Sequence, residues 1–372
     1  MTDSAPIRTT YADAGVDVEA GERAVELMKA SVARATRPEV LGDLGGFAGL
    51  FDASALARYR RPLLATSTDG VGTKVAVAQA MDRHHTIGID LVAMVVDDLV
   101  VVGAEPLFMT DYIACGSVVP ERIAAIVTGI ARGCELAGCA LLGGETAEHP
   151  GLLGVDEYDV AGAGTAVVEA DDLLGPARVV AGDVVIAMQS SGLHSNGYSL
   201  ARHVLLGPAG PGWSLDRHVE QFGRSLGDEL LEPTRIYSLD CLDLAGADSV
   251  DVHAFAHITG GGIAANIARV LPTHLHIDVD RGSWTPQPVF TVIGGVGSVA
   301  VGELERTFNM GIGMVAVVSA DSVDAALTRL AARGVTAWVC GEVRDRGSAD
   351  VGDAPAKGGS GGSVSLHDRY RA

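Results

Sequence analysis

Cysteine is scarce in this chain and follows no pairing pattern. Five cysteines occur among 372 residues, and none belongs to a Cys-x-x-Cys pair. An odd number without paired spacing argues against a disulfide framework or a structural zinc site, and it is typical of a protein kept in a reducing compartment. The sequence therefore predicts a cytoplasmic protein.

Positive charge and long apolar runs are also in short supply. The chain has 27 Lys and Arg against 47 Asp and Glu, a formal net charge of −20. Nucleic-acid binding needs clustered cations, so we expect no nucleic-acid partner. No unbroken apolar run reaches the roughly 18 residues of a membrane helix, and the first twenty residues lack the apolar core of a signal peptide. We therefore expect no membrane span and no secretion.

Two common catalytic loops are incomplete. A Walker A loop needs a lysine before its serine or threonine, whereas Lys74 follows Thr73. A nucleophile elbow, Gly-x-Ser-x-Gly, fails at its first glycine, where this chain has Leu193. Any nucleotide or acyl chemistry must therefore use other loops.

Glycine, in contrast, is abundant, with 48 residues, well above the usual share of about 7%. Segments with strand and helix periodicity alternate along the chain, which predicts an α/β fold. A polar stretch around Pro176 predicts a boundary between domains at residues 1–170 and 171–346. Residues 347–372 are rich in Gly, Ser and Asp, and we expect them to form a disordered tail.

Residues 66–74, Thr-Ser-Thr-Asp-Gly-Val-Gly-Thr-Lys, form the strongest candidate for a site. They follow an apolar run that is typical of a strand end. Glycines permit close approach to a ligand, hydroxyls and Lys74 suit phosphate oxygens, and Asp69 suits Mg²⁺. Taken alone, the same pattern also fits a plain turn between core strands.

Two further segments combine acids with apolar residues or glycine. Residues 87–102 are almost all apolar and predict a buried helix that carries Asp90, Asp97 and Asp98. Buried carboxylates are costly unless they are paired or bind a metal. Residues 143–148, Gly-Gly-Glu-Thr-Ala-Glu, predict another glycine loop with acids.

The second half offers a histidine loop and a rival function. Residues 190–199 hold His194 among hydroxyl groups, where an imidazole could donate to an anionic oxygen or transfer a proton. Residues 260–265, Gly-Gly-Gly-Ile-Ala-Ala, match a dinucleotide fingerprint, with Asp278 and Asp280 ending the next strand. An NAD-dependent oxidoreductase is therefore an alternative. We interpret His257 as structural.

Several ordered motifs together carry a resemblance to a known family. They are Leu-Gly-Gly-Phe at 44–47, Thr-Asp-Gly-Val-Gly-Thr-Lys at 68–74, Gly-Ala-Glu-Pro-Leu-Phe at 103–108, Gly-Gly-Glu-Thr-Ala-Glu at 143–148, Ser-Ser-Gly-x-His-Ser-Asn-Gly-Tyr-Ser at 190–199 and Thr-Gly-Gly-Gly at 259–262. Over residues 11–345 the chain resembles the aminoimidazole ribonucleotide synthetases, also called phosphoribosylformylglycinamidine cyclo-ligases, of purine biosynthesis. The family usually has Asn-Asp-Leu where this chain has Asp97-Asp98-Leu99.

The resemblance implies an ATP- and Mg²⁺-dependent ring closure. In this reaction the formyl oxygen of formylglycinamidine ribonucleotide attacks the γ-phosphate, an amidine nitrogen then attacks the activated carbon, and phosphate leaves. The implied fold is two α/β domains, each a mixed sheet covered by helices, in a homodimer. Another ATP-dependent enzyme of the same superfamily, or a nucleotide sensor without activity, stays possible at this point.

The resemblance also implies roles for particular residues. The metal ligands are Asp69, Asp98 and Glu145, and the catalytic residues are His194, Lys29 and Asp98. The nucleotide contacts are Gly42, Gly45, Gly46, Asp69, Gly70, Val71, Gly72, Thr73 and Lys74. The substrate contacts are Ser191, His194, Asn196, Thr259, Gly260, Gly261 and Gly262.

Overall fold

The computed structural model describes residues 15–42, 46–208 and 210–371. Gly45 lies outside these residues. The first half contains α1 (Val18–Arg34), β1 (Val40–Leu41), β2 (Leu50–Phe51), β3 (Pro62–Gly70), α2 (Val75–Met81), α3 (Ile87–Val100), β4 (Glu105–Cys115), α4 (Pro120–Ala137), β5 (Ala140–Glu148) and β6 (Tyr158–Glu169).

The second half has more elements. They are β7 (Val184–Gln189), α5 (Tyr198–Leu205), β8 (His218–Val219), β9 (Arg224–Ser225), α6 (Leu226–Leu230), α7 (Ser238–Ala245), β10 (Val252–His257), α8 (Gly262–Ala268), β11 (Leu275–Asp280), α9 (Pro288–Gly297), α10 (Val301–Thr307), β12 (Ile312–Val318), α11 (Val323–Ala332), β13 (Ala337–Asp345) and β14 (Ser363–His367). In the portion of the chain that the structure describes, none of the helices has the length and hydropathy of a membrane span.

The first sheet has one covered face and one open face. Its strand order is β3-β6-β4-β5, with β6 antiparallel to both neighbours and β5 parallel to β4. Helix α3 packs on β3 and β6, and α4 and α1 pack beside it. Successive side chains of a strand point to opposite faces. On the face away from the helices, Leu64 exposes 65% and Tyr112 exposes 42% of its surface.

The second sheet is buried on both faces. Its order is β10-β12-β7-β13-β11-β14, and every neighbouring pair is antiparallel except β11 and β14. Along β7, Val185 and Ala187 belong to one apolar cluster, whereas Ile186 and Met188 belong to a second cluster formed with α7 and α11. Two mixed sheets with packed helices confirm the predicted fold class.

The prediction of a disordered tail over residues 347–372 is wrong. Strand β14 pairs in parallel with β11, and Val364 is completely buried. The backbone N–H of Gly362 donates to the carbonyl oxygens of Ala268 and Leu271, so the glycine-rich run is held against the end of α8. A mostly polar composition concealed a short strand whose alternate residues enter the core.

Helix α3 joins the two halves through its three acids. Asp90 accepts from the backbone N–H and hydroxyl of Thr234 at 2.8 and 2.6 Å, Asp97 accepts from the backbone N–H of Tyr237 at 3.0 Å, and Asp98 lies 2.9 Å from Nδ1 of His257. The buried Asp90 and Asp97 are therefore paired, as their desolvation cost requires, and the more exposed Asp98 is paired as well.

Candidate functional site

Asp69 lies at the end of a strand, not within a glycine loop. Residues 66–69 belong to β3, where Asp69 stands opposite Gly162 of β6. The sequence interpretation began the loop too early, because threonines suit a half-exposed edge strand as well as a turn. The Asp69 side chain lies on the helix-covered face. Burial, and next the nearby charge of Asp98, raise the pKa of Asp69, although the backbone N–H of Gly70 stabilises the carboxylate.

His257 lies among the carboxylates of the candidate site. Burial opposes the positive charge of its imidazole, but the hydrogen bond with Asp98 and the charges of Asp97 and Asp69 raise the pKa of His257. Burial also disfavours the charge on Asp98, yet His257 holds the pKa of Asp98 below its ordinary value. His257 is therefore an electrostatic part of the site, which corrects its interpretation as a purely structural residue.

Asp97, which replaces the asparagine usual in the family, is buried against the second half. Burial raises the pKa of Asp97 to about 7. Its carboxyl accepts the backbone N–H of Tyr237 at 3.0 Å. An asparagine oxygen accepts the same hydrogen bond without a charge, so the extra acid costs stability once it ionises.

We expect Asp97→Asn to stabilise the metal-free protein in a pH-dependent manner. The pKa of Asp97 is higher in the folded state than its ordinary value of 3.8. The contribution of Asp97 to stability is therefore full below about pH 4 and is lost as the pH rises to about 7. The variant should gain about 3 kcal/mol more over wild type at pH 8 than at pH 4.5, by urea unfolding in EDTA. An equal gain at both pH values would contradict this account.

Residues 71–74 pack directly against the histidine loop of the second half. Ser195 Oγ donates to the carbonyl oxygen of Val71 at 2.7 Å, and the hydroxyls of Thr73 and Ser199 lie 3.2 Å apart. Gly72 has a φ of +72°, a conformation that favours glycine. The structure thus brings together two loops that are more than a hundred residues apart in the sequence.

The ammonium group of Lys74 does not point to the surface formed by residues 71–74 and the histidine loop. The side chain is completely buried, and Nζ donates to Asp90 Oδ1 at 2.8 Å and to the carbonyl oxygens of His194 at 3.1 Å and Glu232 at 2.6 Å. An ammonium group has three N–H donors, and all three are used. The expectation that this ammonium binds a phosphate is therefore corrected, and Lys74 links the two halves instead.

His194 is a neutral, buried imidazole with one unused nitrogen. The backbone of His194 has a φ of +62°, and the side-chain Nε2 accepts a hydrogen bond from the backbone N–H of Ser191 at 3.1 Å. The hydrogen must then reside on Nδ1, which has no hydrogen-bond partner among the described residues. Burial, followed by the charge of His257, holds the pKa of His194 well below its ordinary value. The group can donate a hydrogen bond, but it is not a cationic acid near pH 7.

Residues 259–262 lie beside the histidine loop. Oδ1 of Asn196 accepts from the backbone N–H of Gly260 at 3.1 Å. Gly261 and Gly262 have φ of +102° and +74°, and a Cβ on Gly262 would lie 1.6 Å from the carbonyl oxygen of Glu305. Only glycine fits at Gly262. The hydroxyl donor of Ser191 is already used within the protein, since its Oγ donates to the carbonyl oxygen of Pro233 at 2.7 Å.

The dinucleotide interpretation of residues 260–265 does not fit the sheet. A dinucleotide fold requires the two parallel strands that flank this helix to be neighbours in the sheet. Here β12, β7 and β13 separate β10 from β11. Asp278 is already paired with Arg344, whose Nε lies 2.6 Å from Oδ2. The oxidoreductase alternative is therefore not favoured.

Glu145 is distant from Asp69 within one chain. Across the first sheet, Gly70, Ala161, Tyr112 and Glu145 occupy one row. Three strand spacings separate Gly70 from Glu145, about 14 Å. Glu145 is also exposed on the open face. The structure therefore does not bring Glu145 to Asp69 and Asp98 of the same chain, which corrects the expected set of three metal ligands.

An edge pocket lies between α1, residues 46–49 and the strands β4 and β5. Its volume is about 680 Å³. Gly46, Phe47, Met28 and Leu141 line an apolar part, and Thr110, Asp111, Glu145 and Thr146 line a polar part. Gly42 has a φ of +85° and does not line this pocket.

Lys29 is on the exposed surface of α1, where its ammonium lies 2.5 Å from Glu26. It neither lines the edge pocket nor contacts Asp69 or Asp98. The structure therefore gives no support to a catalytic role for Lys29.

Asp111 is a candidate residue that sequence reasoning missed. It points to the covered face of β4, and burial raises the pKa of Asp111 to about 7. A Cβ on Gly144 would lie 2.4 Å from its Oδ1, so the glycine makes room for the carboxylate. The signal was present in the sequence, since Asp111 occupies an inward position between the apolar residues Met109 and Ile113.

Among the described residues, one group of three metal-type ligand atoms lies within 4.8 Å: His276, Asp278 and His367. It lies on β11 and β14, and Arg344 already neutralises Asp278. Asp69 and Asp98 do not belong to this group.

Family comparisons agree with the fold and the loops. The N-terminal domain of the AIR synthase related protein family matches residues 52–168, and its C-terminal domain matches residues 180–353. These matches span most of the chain. The chain therefore belongs to the AIR synthase related family, and the predicted family is confirmed.

Curated relatives identify the particular branch. A protein of Brevibacillus brevis is 49% identical over 90% of this chain and 95% of its own length. A protein of Anaeromyxobacter dehalogenans is 51% identical over 92% of this chain and 97% of its own length. Both are named phosphoribosylformylglycinamidine cyclo-ligase. These relatives carry the name of the family that the sequence motifs predicted.

Solved structures show the same fold at low identity. A thiamine-monophosphate kinase from Stenotrophomonas maltophilia is 18% identical, with a TM-score of 0.62 over 92% of this chain and 95% of that chain. A hydrogenase maturation protein HypE in complex with ATP is 17% identical, with a TM-score of 0.61 over 90% of this chain and 89% of that chain.

Proposed function

We propose that this enzyme is an ATP-dependent cyclo-ligase that converts formylglycinamidine ribonucleotide to 5-aminoimidazole ribonucleotide, with release of ADP and phosphate. The relatives' shared name supports the reaction. One structural observation supports this location of the active site: residues 71–74, the histidine loop and residues 259–262 meet beside the acids of α3. Glycine-rich backbone, carboxylates and a hydrogen-bond donor are the groups that phosphoryl transfer needs.

The donor set at this surface fits Mg²⁺. Besides burial, the charge of Asp98 raises the pKa of Asp69, and His257 offsets only part of this negative charge. A divalent cation removes that repulsion, and Mg²⁺ favours one or two carboxylates with phosphate oxygens. When bound, Mg²⁺ neutralises charge on the phosphoryl oxygens.

His194 suits an oxygen that becomes negative during the reaction. In the first step the formyl oxygen attacks the γ-phosphorus of ATP and ADP leaves. In the second step the amidine nitrogen attacks the formyl carbon, and phosphate departs with the former formyl oxygen. Both steps place negative charge on oxygen. A neutral Nδ1–H in a buried site stabilises such an oxygen without needing to be protonated further.

The edge pocket suits the adenine base of ATP. Its apolar part offers contact to a flat ring, while Thr110 and Thr146 offer hydroxyls at the polar part. Pockets of several hundred Å³ with few polar groups are typical of small-molecule sites. Gly46 at the rim leaves the backbone accessible to a ligand.

A homodimer formed through the open face of the first sheet is part of the proposal. A solvated sheet face normally carries polar residues, whereas this face carries Leu64, Phe108, Tyr112 and Ala163 beside its threonines. Glu145 lies on the same face, so a second copy would pack against it. Sedimentation equilibrium should give twice the chain mass, and Leu64→Asp should shift it toward one; a monomeric wild type would contradict this part.

Removal of divalent metal tests the proposed chemistry. With ATP and formylglycinamidine ribonucleotide present, ADP release should fall to background in EDTA, because the carboxylates alone repel the triphosphate. Excess Mg²⁺ should restore it, and ADP release should require the ribonucleotide. Undiminished substrate-dependent turnover in EDTA would overturn the metal assignment.

A further inference from the structure

Lysine is unusually rare in this chain, and each of the three lysines has a different environment. Lys29 pairs with Glu26 on the surface, and Lys74 is buried with all its donors used. The third, Lys357, belongs to the connection between β13 and β14. This connection extends beyond residue 353, where the match to the family's C-terminal domain ends.

The connection is held firmly on the second half. The backbone N–H of Lys357 donates to the carbonyl oxygen of Ala265 at 3.0 Å, and that of Gly362 donates to Ala268 at 3.1 Å. A Cβ on Gly361 would lie 2.1 Å from the same carbonyl oxygen of Ala268, so the chain approaches α8 as closely as glycine allows. Ala354 and Ala356 also pack against the core. These contacts fix the point from which the Lys357 side chain extends.

The side chain of Lys357 covers residues 259–262. Its Nζ lies 3.2 Å from Oγ1 of Thr259, and its Cδ would lie 3.7 Å from a Cβ on Gly261. Its charge also lowers the pKa of both Asp69 and Asp98, which are on the first half. Lys357 therefore lies beside the glycine-rich turn, within electrostatic range of the carboxylates of the candidate site.

The ammonium of Lys357 still has donors available. Within the described part of the chain, Thr259 Oγ1 is its one hydrogen-bond acceptor, and no carboxylate oxygen lies within 4.0 Å. A lysine ammonium has three N–H donors. In a chain with a net charge of −20, an unpaired cation beside a glycine-rich turn favours an anionic ligand.

We propose that Lys357 binds the 5′-phosphate of the ribonucleotide substrate together with residues 259–262, as a substrate-binding residue supplied by the β13–β14 connection. This inference rests on the proposed function. Three features support it: an ammonium without a carboxylate partner, the adjacent half-buried residues Gly260 and Gly261, and the hydroxyl of Thr259. Lys357 does not take part in the chemical steps, which occur at the formyl group of the substrate.

The test compares Lys357→Met and Lys357→Arg with the wild type by steady-state kinetics. Loss of one charge-assisted hydrogen bond to the phosphate should raise KM for formylglycinamidine ribonucleotide about 10- to 100-fold. The turnover number and KM for ATP should change little. Lys357→Arg should keep KM within about threefold of wild type, since it retains the charge.

Two controls separate phosphate binding from a structural effect. Arg369→Met removes one positive charge from an exposed position of the same C-terminal segment and should leave KM unchanged. The 5′-hydroxyl nucleoside, which lacks the phosphate, should bind wild type and Lys357→Met equally in calorimetry without ATP. Thermal unfolding of each variant shows whether the fold is kept.

The outcomes are distinguishable. If the wild type releases no ADP with this substrate, the proposed function fails. If the wild type is active but Lys357→Met has an unchanged KM, the inference about Lys357 alone is overturned. An unchanged substrate KM with a lower Mg²⁺ requirement would also overturn it, because Lys357 would then act only as a counter-ion of Asp69 and Asp98.

Discussion

Asp69→Asn should reduce ADP release by at least about 100-fold while the protein still folds. Loss of a residue that only supports a metal ligand already costs about 10- to 100-fold, so loss of a ligand itself should cost at least as much. Stability should not fall, because burial and Asp98 already disfavour the Asp69 carboxylate. The measurement is substrate-dependent ADP release at saturating ATP, with thermal unfolding alongside.

The matched control for this variant is Asp324→Asn. Asp324 is an exposed carboxylate in the first turn of α11, so the same chemical change there should leave turnover unchanged. Raised Mg²⁺ should recover part of the activity of Asp69→Asn if the defect is in metal affinity. Full activity of Asp69→Asn at low Mg²⁺ would contradict the role of Asp69.

Lys74→Met should destabilise the protein by about 3 to 5 kcal/mol, which is the usual cost of removing one partner of a buried ion pair. Asp90 would then keep only the donors of Thr234 for a carboxylate that is completely buried. The carbonyl oxygens of His194 and Glu232 would also lose their donor. Urea unfolding measures the loss.

A double variant identifies the ion pair as the cause. Lys74→Met with Asp90→Asn removes both charges, and it should recover at least half of the lost stability. Lys29→Met, on the exposed surface of α1, should leave the unfolding midpoint unchanged. A stable Lys74→Met protein whose main defect is a raised KM for ATP would instead support the original expectation of a phosphate contact.

Much of the fold followed from periodicity. A long element with one dominant pattern was predicted well: the apolar run at residues 87–102 became helix α3, which carries Asp90, Asp97 and Asp98. The meeting of the Asp69 segment with the His194 loop was predicted only through resemblance to a family. No local pattern specifies that Ser195 bonds to Val71 across more than a hundred residues.

Other features depended on tertiary contacts, which the local sequence around each residue does not predict. The sequence around Lys74 is the same whether its ammonium binds a phosphate or pairs with Asp90. The burial of Lys74 between the two halves of the fold determines that it pairs with Asp90. Glu145 follows two glycines like a loop ligand, yet it stands in a strand on the opposite edge of the sheet from β3. The last strand, β14, is five residues long within a Gly- and Ser-rich segment, and its pairing with β11 is what orders it.

The fate of one oxygen atom tests the central claim most directly. Formylglycinamidine ribonucleotide labelled with ¹⁸O in the formyl group should be incubated with the enzyme, Mg²⁺ and ATP, and both products should be analysed by mass spectrometry. We predict one molecule of 5-aminoimidazole ribonucleotide for each ADP, with the label in the released phosphate. Phosphate without label, or ADP formed without the imidazole product, would contradict phosphorylation of the formyl oxygen at this site.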